Sequence, residues 1–144
     1  MQVSGGGPAE YAVNVRIPQW ASPNPVIAVN GSRVREQVQP GTFVAIRRTW
    51  KDGDVIELEL PMPLRLEAVD VQHPNLVALL RGPLVLFAIS DTQPTFDNAE
   101  LLHARPSGSQ GESLATSADG KAITMRPFMN IQDENYSTYV LLKS

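Results

Sequence analysis

Two glutamates on one predicted strand are the residues whose spacing comes nearest to that of an acid–base pair. Glu57 and Glu59 project from the same face of the strand, with Cα atoms about 6.8 Å apart, close to the carboxyl separations that glycosidases use. Glycosidase carboxylates flank a sugar from two sides of a cleft, however, whereas neighbours on one strand point in parallel. We therefore interpret Glu57 and Glu59 as a solvated face.

Metal and nucleophile chemistry has few candidates in this chain. There is no cysteine, which excludes thiolate zinc sites, iron–sulfur ligation and cysteine nucleophiles. His73 and His103 are far apart in the sequence and have no carboxylate pair at ligand spacing, so we expect both to be exposed. Asp52 and Asp54 could offer oxygens to calcium, but Asp52 is already explained by turn chemistry. We predict no catalytic residue, no metal site and no cofactor.

Three aromatic residues are candidates for carbohydrate contact, because sugar-binding sandwiches use an exposed ring as a platform for the apolar face of a sugar. They are Trp20, Trp50 and Tyr136. Trp20 follows a strand and Trp50 precedes a turn, so each indole could instead plug the end of a sandwich. Both interpretations of the tryptophans stay open at this point.

The charge balance argues against nucleic acid and membrane partners. The chain carries 12 Lys and Arg against 15 Asp and Glu, for a net charge of −3. A protein that binds nucleic-acid phosphates normally has a clustered basic excess. Arg33, Arg35, Arg47 and Arg48 form two local basic pairs, which we interpret as a solvated or interdomain face. The apolar run 84–89 is too short to cross a bilayer, so we expect a soluble protein, bacterial-type and cytoplasmic, periplasmic or secreted.

The elements that would position these residues are predicted to be strands. Twelve prolines and ten glycines interrupt the chain too often for ordinary helices. Alternation of apolar and polar residues over 11–17, 56–60 and 64–67 is typical of half-buried strands. The fold class predicted is all-β, a two-sheet antiparallel β-sandwich of jelly-roll type with at most one short helix, at 97–105 with Asp97 as its N-cap.

Turn dipeptides predict how the strands connect. Asn30-Gly31, Asp52-Gly53 and Asp119-Gly120 are typical of type I′ hairpins, which would join 26–29 with 34–38, 43–48 with 55–60, and 113–116 with 123–126. The runs 77–80 and 84–89 are predicted to be buried on both faces. We expect a mobile loop at about 106–120, a disordered or vector-derived segment at 1–9 that begins inside a longer protein, and a single β-sandwich domain over 10–144.

Several motifs, in order and at the right spacing, resemble the C-terminal β-sandwich region of the β-L-arabinofuranosidase family, glycoside hydrolase family 127. The similarity covers roughly residues 11–90, and its motifs are Arg16–Ala21, Val29–Gly31, Gly41–Val44, Arg48–Asp54, Leu60–Pro63 and Val77–Val85. Members of that family carry their chemistry on an N-terminal (α/α)₆ barrel, with a cysteine nucleophile beside a zinc ion. None of those catalytic residues corresponds to a position in this chain.

The resemblance implies a non-catalytic accessory domain that packs against a catalytic barrel of the same parent chain. Such a domain needs a docking surface, and we place candidates for it at Met62, Leu64, Phe128 and Met129, where bulky apolar side chains lie near prolines. Two alternatives stay open. One is an independent carbohydrate-binding module, with a plant-type glycan as partner, and the other is a small stand-alone enzyme.

Overall fold

A computed structural model of the protein describes residues 1–108 and 111–143. The chain forms two compact units, Met1–Pro63 and Leu64–Ser144, each built around its own apolar core. The expected loop over 106–120 includes Ser109 and Gln110, which lie outside the described residues. The assignment of 10–144 to a single domain stays a prediction.

The first unit contains two small antiparallel sheets. Its five strands are β1 (Ala9–Arg16), β2 (Val26–Val29), β3 (Ser32–Arg33), β4 (Phe43–Trp50) and β5 (Ile56–Glu59). Strands β1 and β4 pair along their whole length, from Ala9 opposite Trp50 to Arg16 opposite Phe43. The second sheet has the order β3-β2-β5.

Alternation along the strands builds the core of the first unit. In β4, Val44, Ile46 and Trp50 are buried, whereas Phe43 on the opposite face is 68% exposed. These buried side chains pack with residues of the neighbouring segments, namely Ile17, Ala21, Ile27, Val29 and Ile56. Apolar burial of this kind is the main source of stability in a small β unit.

Two of the predicted hairpins differ in the structure. Strands β4 and β5 do not pair with each other, because the turn after Trp50 passes the chain from one sheet to the other. The expected strand at 34–38 is wrong: the strand that pairs with β2 is β3, just before this segment, and Val34 and Val38 pack against the core from irregular backbone. The prediction of strands at 26–29 and 43–48 is confirmed.

Only one of the three turn dipeptides has the backbone that a type I′ turn requires. Asn30 and Gly31 both have positive φ, 50° and 77°. At the other two dipeptides only the glycine does, with φ of 87° at Gly53 and 82° at Gly120. The 117–120 turn therefore has the geometry of a type I turn followed by a glycine bulge.

The second unit is built on one large, mainly antiparallel sheet, which also contains a parallel pair, β9 with β14. The hydrogen-bonded order is β10-β11-β12-β8-β7-β14-β9, with β13 added to β8 and β6 added to β7. Its strands are β6 (Leu64–Ala68), β7 (Leu76–Arg81), β8 (Leu84–Ile89), β9 (Thr95–Phe96), β10 (Arg105–Pro106), β11 (Ser113–Thr116), β12 (Ala122–Pro127), β13 (Tyr136–Ser137) and β14 (Val140–Leu142).

Strands β7 and β8 form the centre of this unit, as the sequence predicts. Four consecutive residues of β7, 77–80, are buried, so this strand is covered on both faces. In β8 only Leu86 and Ala88 are fully buried, and the residues between them are half-buried. The prediction of burial on both faces is therefore confirmed for β7 and wrong for β8.

The short helix and the loop that follows it are smaller than expected. Helix α1 covers Asn98–Leu102, and Asp97 occupies the N-cap position without a side-chain hydrogen bond to the helix. Arg105, the last residue of the predicted helix, and Pro106 form β10, which pairs with β11 at 113–116 inside the expected loop. A 3₁₀ helix follows β12 at Phe128–Asn130.

The first residues of the chain also differ from the expectation of disorder. The N–H of Val3 donates to Asp54 O, and Ile56 N–H donates to Met1 O, so residues 1–3 extend the edge of β5. Val3 packs against the first core, which supplies an apolar reason for this pairing. The all-β fold class is confirmed. Within the described residues, no helix is long and apolar enough to span a membrane.

Candidate interaction surface

Three aromatic rings cluster on the second unit, and we call Phe87, Phe128 and Tyr136 the aromatic patch. The Phe87 ring centroid lies 5.6 Å from that of Phe128 and 5.3 Å from that of Tyr136, and the last two are 6.5 Å apart. Phe128 is 63% exposed and Tyr136 is 45% exposed. Rings in edge-to-face contact that are still exposed offer a preformed apolar surface to a partner.

Strand alternation explains why these rings meet. Leu86 and Ala88 of β8 point into the core, so Phe87 between them lies on the opposite face of the sheet. Tyr136 pairs with Ile89 in the β13–β8 register, which makes Tyr136 a diagonal neighbour of Phe87 on that face. Phe128 begins the 3₁₀ helix directly after β12, whose last residues pair with β8.

An ion-pair network borders the aromatic patch. Arg126 lies opposite Phe87 in the β12–β8 register, and its Nε is 2.7 Å from Glu112 Oε1. Its Nη1 contacts the carboxylate of Glu134, which also accepts the backbone N–H of Gln132 at 2.8 Å. This backbone N–H, together with Arg126, lowers the pKa of Glu134. The network holds the segment that leads into β13 and thereby positions the Tyr136 ring.

The structure brings together residues to which the sequence assigned different roles. Phe128 was a candidate for docking and Tyr136 for carbohydrate contact, yet their rings belong to one patch. Met129, beside Phe128 in the chain, is 72% exposed. Phe87 was missed because its strand looks continuously apolar, and only the partial burial of β8 shows that Phe87 faces outward.

The two docking candidates near the end of the first unit differ from each other. Met62 is 51% exposed. Leu64, in contrast, begins β6 and packs, half-buried, against the core of the second unit. Leu64 therefore contributes to that core from β6, which pairs with β7, and its role in docking stays a prediction.

Neither tryptophan presents an open ring. Trp50 is 1% exposed, and its Nε1–H donates to Tyr11 O at 3.1 Å, while the Arg48 guanidinium lies 5.1 Å from the ring centre. Carbohydrate contact by Trp50 is thus contradicted, because core side chains already cover its faces. Trp20 is half-buried and packs against the same core.

The charged candidates on β5 and the two histidines are exposed. Glu57 and Glu59 are exposed on β5, which confirms the solvated face. His73 Nδ1 lies 2.9 Å from Asp70 Oδ1, and His103 Nδ1 lies 2.7 Å from Ala99 O; both histidines are exposed. Within residues 1–108 and 111–143, no group of three or more His, Cys, Asp or Glu side chains could hold a metal ion.

Asp54 is a structural residue of the first unit. It is 8% exposed and accepts hydrogen bonds from Asn30 Nδ2 at 2.8 Å and from the Lys51 N–H at 3.0 Å. These bonds, with Arg48 nearby, lower the pKa of Asp54. Asn30 Oδ1 in turn accepts the N–H of Val55 at 2.8 Å, so the two turns of this unit are tied together.

Two surface depressions, one on each unit, are further candidate sites. Arg33, Arg35, Arg47 and Arg48 line one groove of about 340 Å³, so the two basic pairs of the sequence do meet. A cleft of about 410 Å³ on the second unit is lined mainly by hydroxyl, amide and charged groups, including Ser90, Thr92, Gln93, Asp119 and Lys121. The Lys121 ammonium and the Ser117 hydroxyl lower the pKa of Asp119 to about 2.

Comparison with known proteins identifies the relatives of this fold. Residues 1–62, just under half of the chain, match the family model described as the β-L-arabinofuranosidase GH127 middle domain. No curated protein sequence matches. The matched family part is the middle domain, whereas the sequence analysis expected the C-terminal region.

Solved structures share the fold over nearly the whole chain. A GH127 β-L-arabinofuranosidase from Geobacillus stearothermophilus T6 superposes with a TM-score of 0.70 at 21% identity, covering 99% of this chain and 28% of that one. A GH127 β-arabinofuranosidase gives 0.69 at 20% identity, covering 99% and 29%. A protein described as a glycoside hydrolase gives 0.68 at 21% identity, covering 94% and 28%.

The chain therefore spans less than a third of the length of these structures, and at such identities the superpositions establish the fold alone. The sequence match over residues 1–62 adds a resemblance to one family. The resemblance of this chain to the β-L-arabinofuranosidase family GH127 is thus confirmed, and it is the middle domain of that family that residues 1–62 match.

Proposed function

We propose that this chain is a non-catalytic accessory domain of a GH127-type glycoside hydrolase, and that it packs against an N-terminal (α/α)₆ catalytic barrel of the same longer protein. The observation that carries the proposal is the match of residues 1–62 to the GH127 middle domain. The share of about 28% that the chain covers in the solved relatives leaves ample length for a catalytic region elsewhere.

The aromatic patch is the surface that suits this packing best. Domains within one chain share interfaces of roughly 600 to 1,500 Å² that mix polar and apolar groups. The exposed rings of Phe128 and Tyr136 beside the Arg126 ion pairs form such a mixture. Aromatic residues are also the side chains that most often dominate the energy of an interface.

The reading frame upstream of Met1 gives the first test. An open frame that encodes a helical barrel supports the accessory-domain proposal, and an in-frame stop codon next to Met1 contradicts it. Hydrogen exchange of the longer protein then tests the patch. We expect the backbone amides around Phe128 and Tyr136 to exchange more slowly there than in the isolated chain.

Substitutions at the patch separate docking from folding. In the longer protein, Phe128→Ala and Tyr136→Ala should lower the melting temperature of the assembled enzyme. In the isolated chain their effect should be small, about 1 kcal/mol or less, because the side chains are exposed. Val71→Ala is the matched control, since Val71 is an apolar residue of the same unit with 96% exposure. Equal effects of all three substitutions in the longer protein would contradict docking at the patch.

A carbohydrate-binding role is the second candidate, favoured by the open Tyr136 ring on a unit that also carries the polar cleft. Isothermal titration of the isolated chain with arabinofuranosyl oligosaccharides tests this role. Binding that is lost on Tyr136→Ala would support it, and no heat at millimolar ligand would contradict it.

A further inference from the structure

An open groove on the first unit is bordered by the edges of strands from both of its sheets. It has a volume of about 740 Å³ and is lined by Met1, Val13–Arg16 of β1 and Val55–Leu58 of β5. Apart from residues 1–3, nothing in the described part of the chain pairs with these two strand edges. The Leu58 side chain is 42% exposed.

The backbone polar groups of β5 fix what the groove can bind. Ile56 exchanges two hydrogen bonds of 2.8 Å with Met1, so its N–H and C=O point to the outer edge. The same groups of Leu58, two residues further, point the same way, since alternate residues of a strand share one edge. Leu58 therefore has an unpaired donor and acceptor aimed at the groove in the described structure.

Strand β1 presents a similar edge on the other side. The N–H of Ile17 donates to Thr42 O, so odd-numbered residues of β1 face β4. The N–H and C=O groups of Asn14 and Arg16 consequently face the groove. Rows of unpaired backbone groups of this kind are templates for an added strand.

The register of residues 1–3 identifies the strand that fits. Gln2 lies opposite Val55 in an antiparallel bridge, so a chain extended backward from Met1, in the N-terminal direction, would run alongside Glu57 and Leu58. In this register the residue joined to the Met1 amino group would lie opposite Glu57, and the one before it opposite Leu58.

We propose that the groove binds a β-strand formed by the residues that precede Met1 in a longer protein. This strand continues Met1–Val3 along β5, hydrogen-bonds to Leu58, and joins β1 on its other edge, so that the two sheets of the first unit become one. The proposal rests on the proposed function only in requiring a longer protein. Its occupant is a segment of that same chain rather than a second copy or a separate peptide.

A short extension at the N-terminus tests directly whether the groove binds an added strand. We would fuse Thr-Val-Thr-Val ahead of Met1 and use Pro-Gly-Pro-Gly as the matched control, because it places a proline without an N–H opposite Leu58 and disfavours an extended strand. Hydrogen exchange by NMR would follow the amides of Leu58, Asn14 and Arg16. We expect exchange at Leu58 to slow roughly tenfold or more with the strand-forming extension and to be unchanged with the control.

Two results would overturn the proposal. One is equally fast exchange of Leu58 in both extended chains. The other is slow exchange of Leu58 already in the 144-residue chain together with a dimeric mass, because a second copy would then occupy the edge. Either result leaves docking at the aromatic patch intact, so failure of the groove and failure of the proposed function are distinguishable.

Discussion

Replacement of Trp50 by alanine should unfold the first unit at a much lower denaturant concentration than the wild type requires. The indole is 1% exposed, packs in the core of this unit, and donates a hydrogen bond to Tyr11 O. Removing it deletes a large apolar volume that the surrounding strands can fill only in part.

The expected loss of stability follows from the two interactions of the indole, its packing in the core and its hydrogen bond. Truncation of a buried aromatic residue to alanine costs about 3–5 kcal/mol, including the residual cavity. Trp50→Phe keeps most of the ring and loses the indole N–H, and a hydrogen bond of this kind contributes about 0.5–1.5 kcal/mol. We therefore expect about 3–5 kcal/mol for Trp50→Ala and about 1–2 kcal/mol for Trp50→Phe.

Urea denaturation followed by far-UV circular dichroism measures both variants. Phe43→Ala is the matched control, because Phe43 is an aromatic residue of the same strand that is 68% exposed. It should cost about 1 kcal/mol or less. A loss below about 1 kcal/mol for Trp50→Ala, or a loss no larger than that of Phe43→Ala, would refute the argument from burial.

Two further predictions concern polar groups. Asn30→Gly keeps the positive φ but removes the side-chain hydrogen bonds to Asp54 and Val55. It should therefore lower the free energy of unfolding, measured by urea denaturation, by roughly 1–3 kcal/mol. A decrease under about 0.5 kcal/mol would show that these two hydrogen bonds are dispensable. Asp119 has a pKa lowered to about 2 by Lys121, so its contribution to stability is complete above about pH 4 and disappears as the pH falls toward 2. Stability curves of wild type and Asp119→Asn should therefore converge over that range, and curves that stay parallel would contradict the shift.

The strands were more predictable from the sequence than their partners. Period-two alternation placed β1, β5 and β6, because burial of one face leaves a local signature. Pairing of β4 with β1 rather than with β5 has no local signature, since Asp52-Gly53 suits a hairpin as well as a passage between sheets. Long-range pairing is set by the whole core, which no single turn encodes.

Only some residues of the aromatic patch could be predicted from the sequence, because the contacts between them are also long-range. Phe128 could be singled out as a bulky apolar residue near a proline, and Tyr136 as an aromatic candidate for carbohydrate contact, but no local pattern indicates that the two rings share one patch. Their meeting depends on the Tyr136–Ile89 register and on the outward face of Phe87, both of which are tertiary properties. The burial of Trp50 was one of two open interpretations, and only packing decided between them.

The pairing of β1 with β4 also has a consequence for how the chain folds. Its innermost pair, Arg16 with Phe43, joins residues that are 27 positions apart, whereas the innermost pair of the β11–β12 hairpin, Thr116 with Ala122, joins residues only 6 positions apart. Loop-closure entropy scales with the logarithm of loop length, so the longer loop costs about 1.3 kcal/mol more, which slows its closure roughly tenfold. The second unit can therefore acquire local structure while the first is still searching for its central strand pair, and during that interval the β4 backbone is open to pairing with other chains.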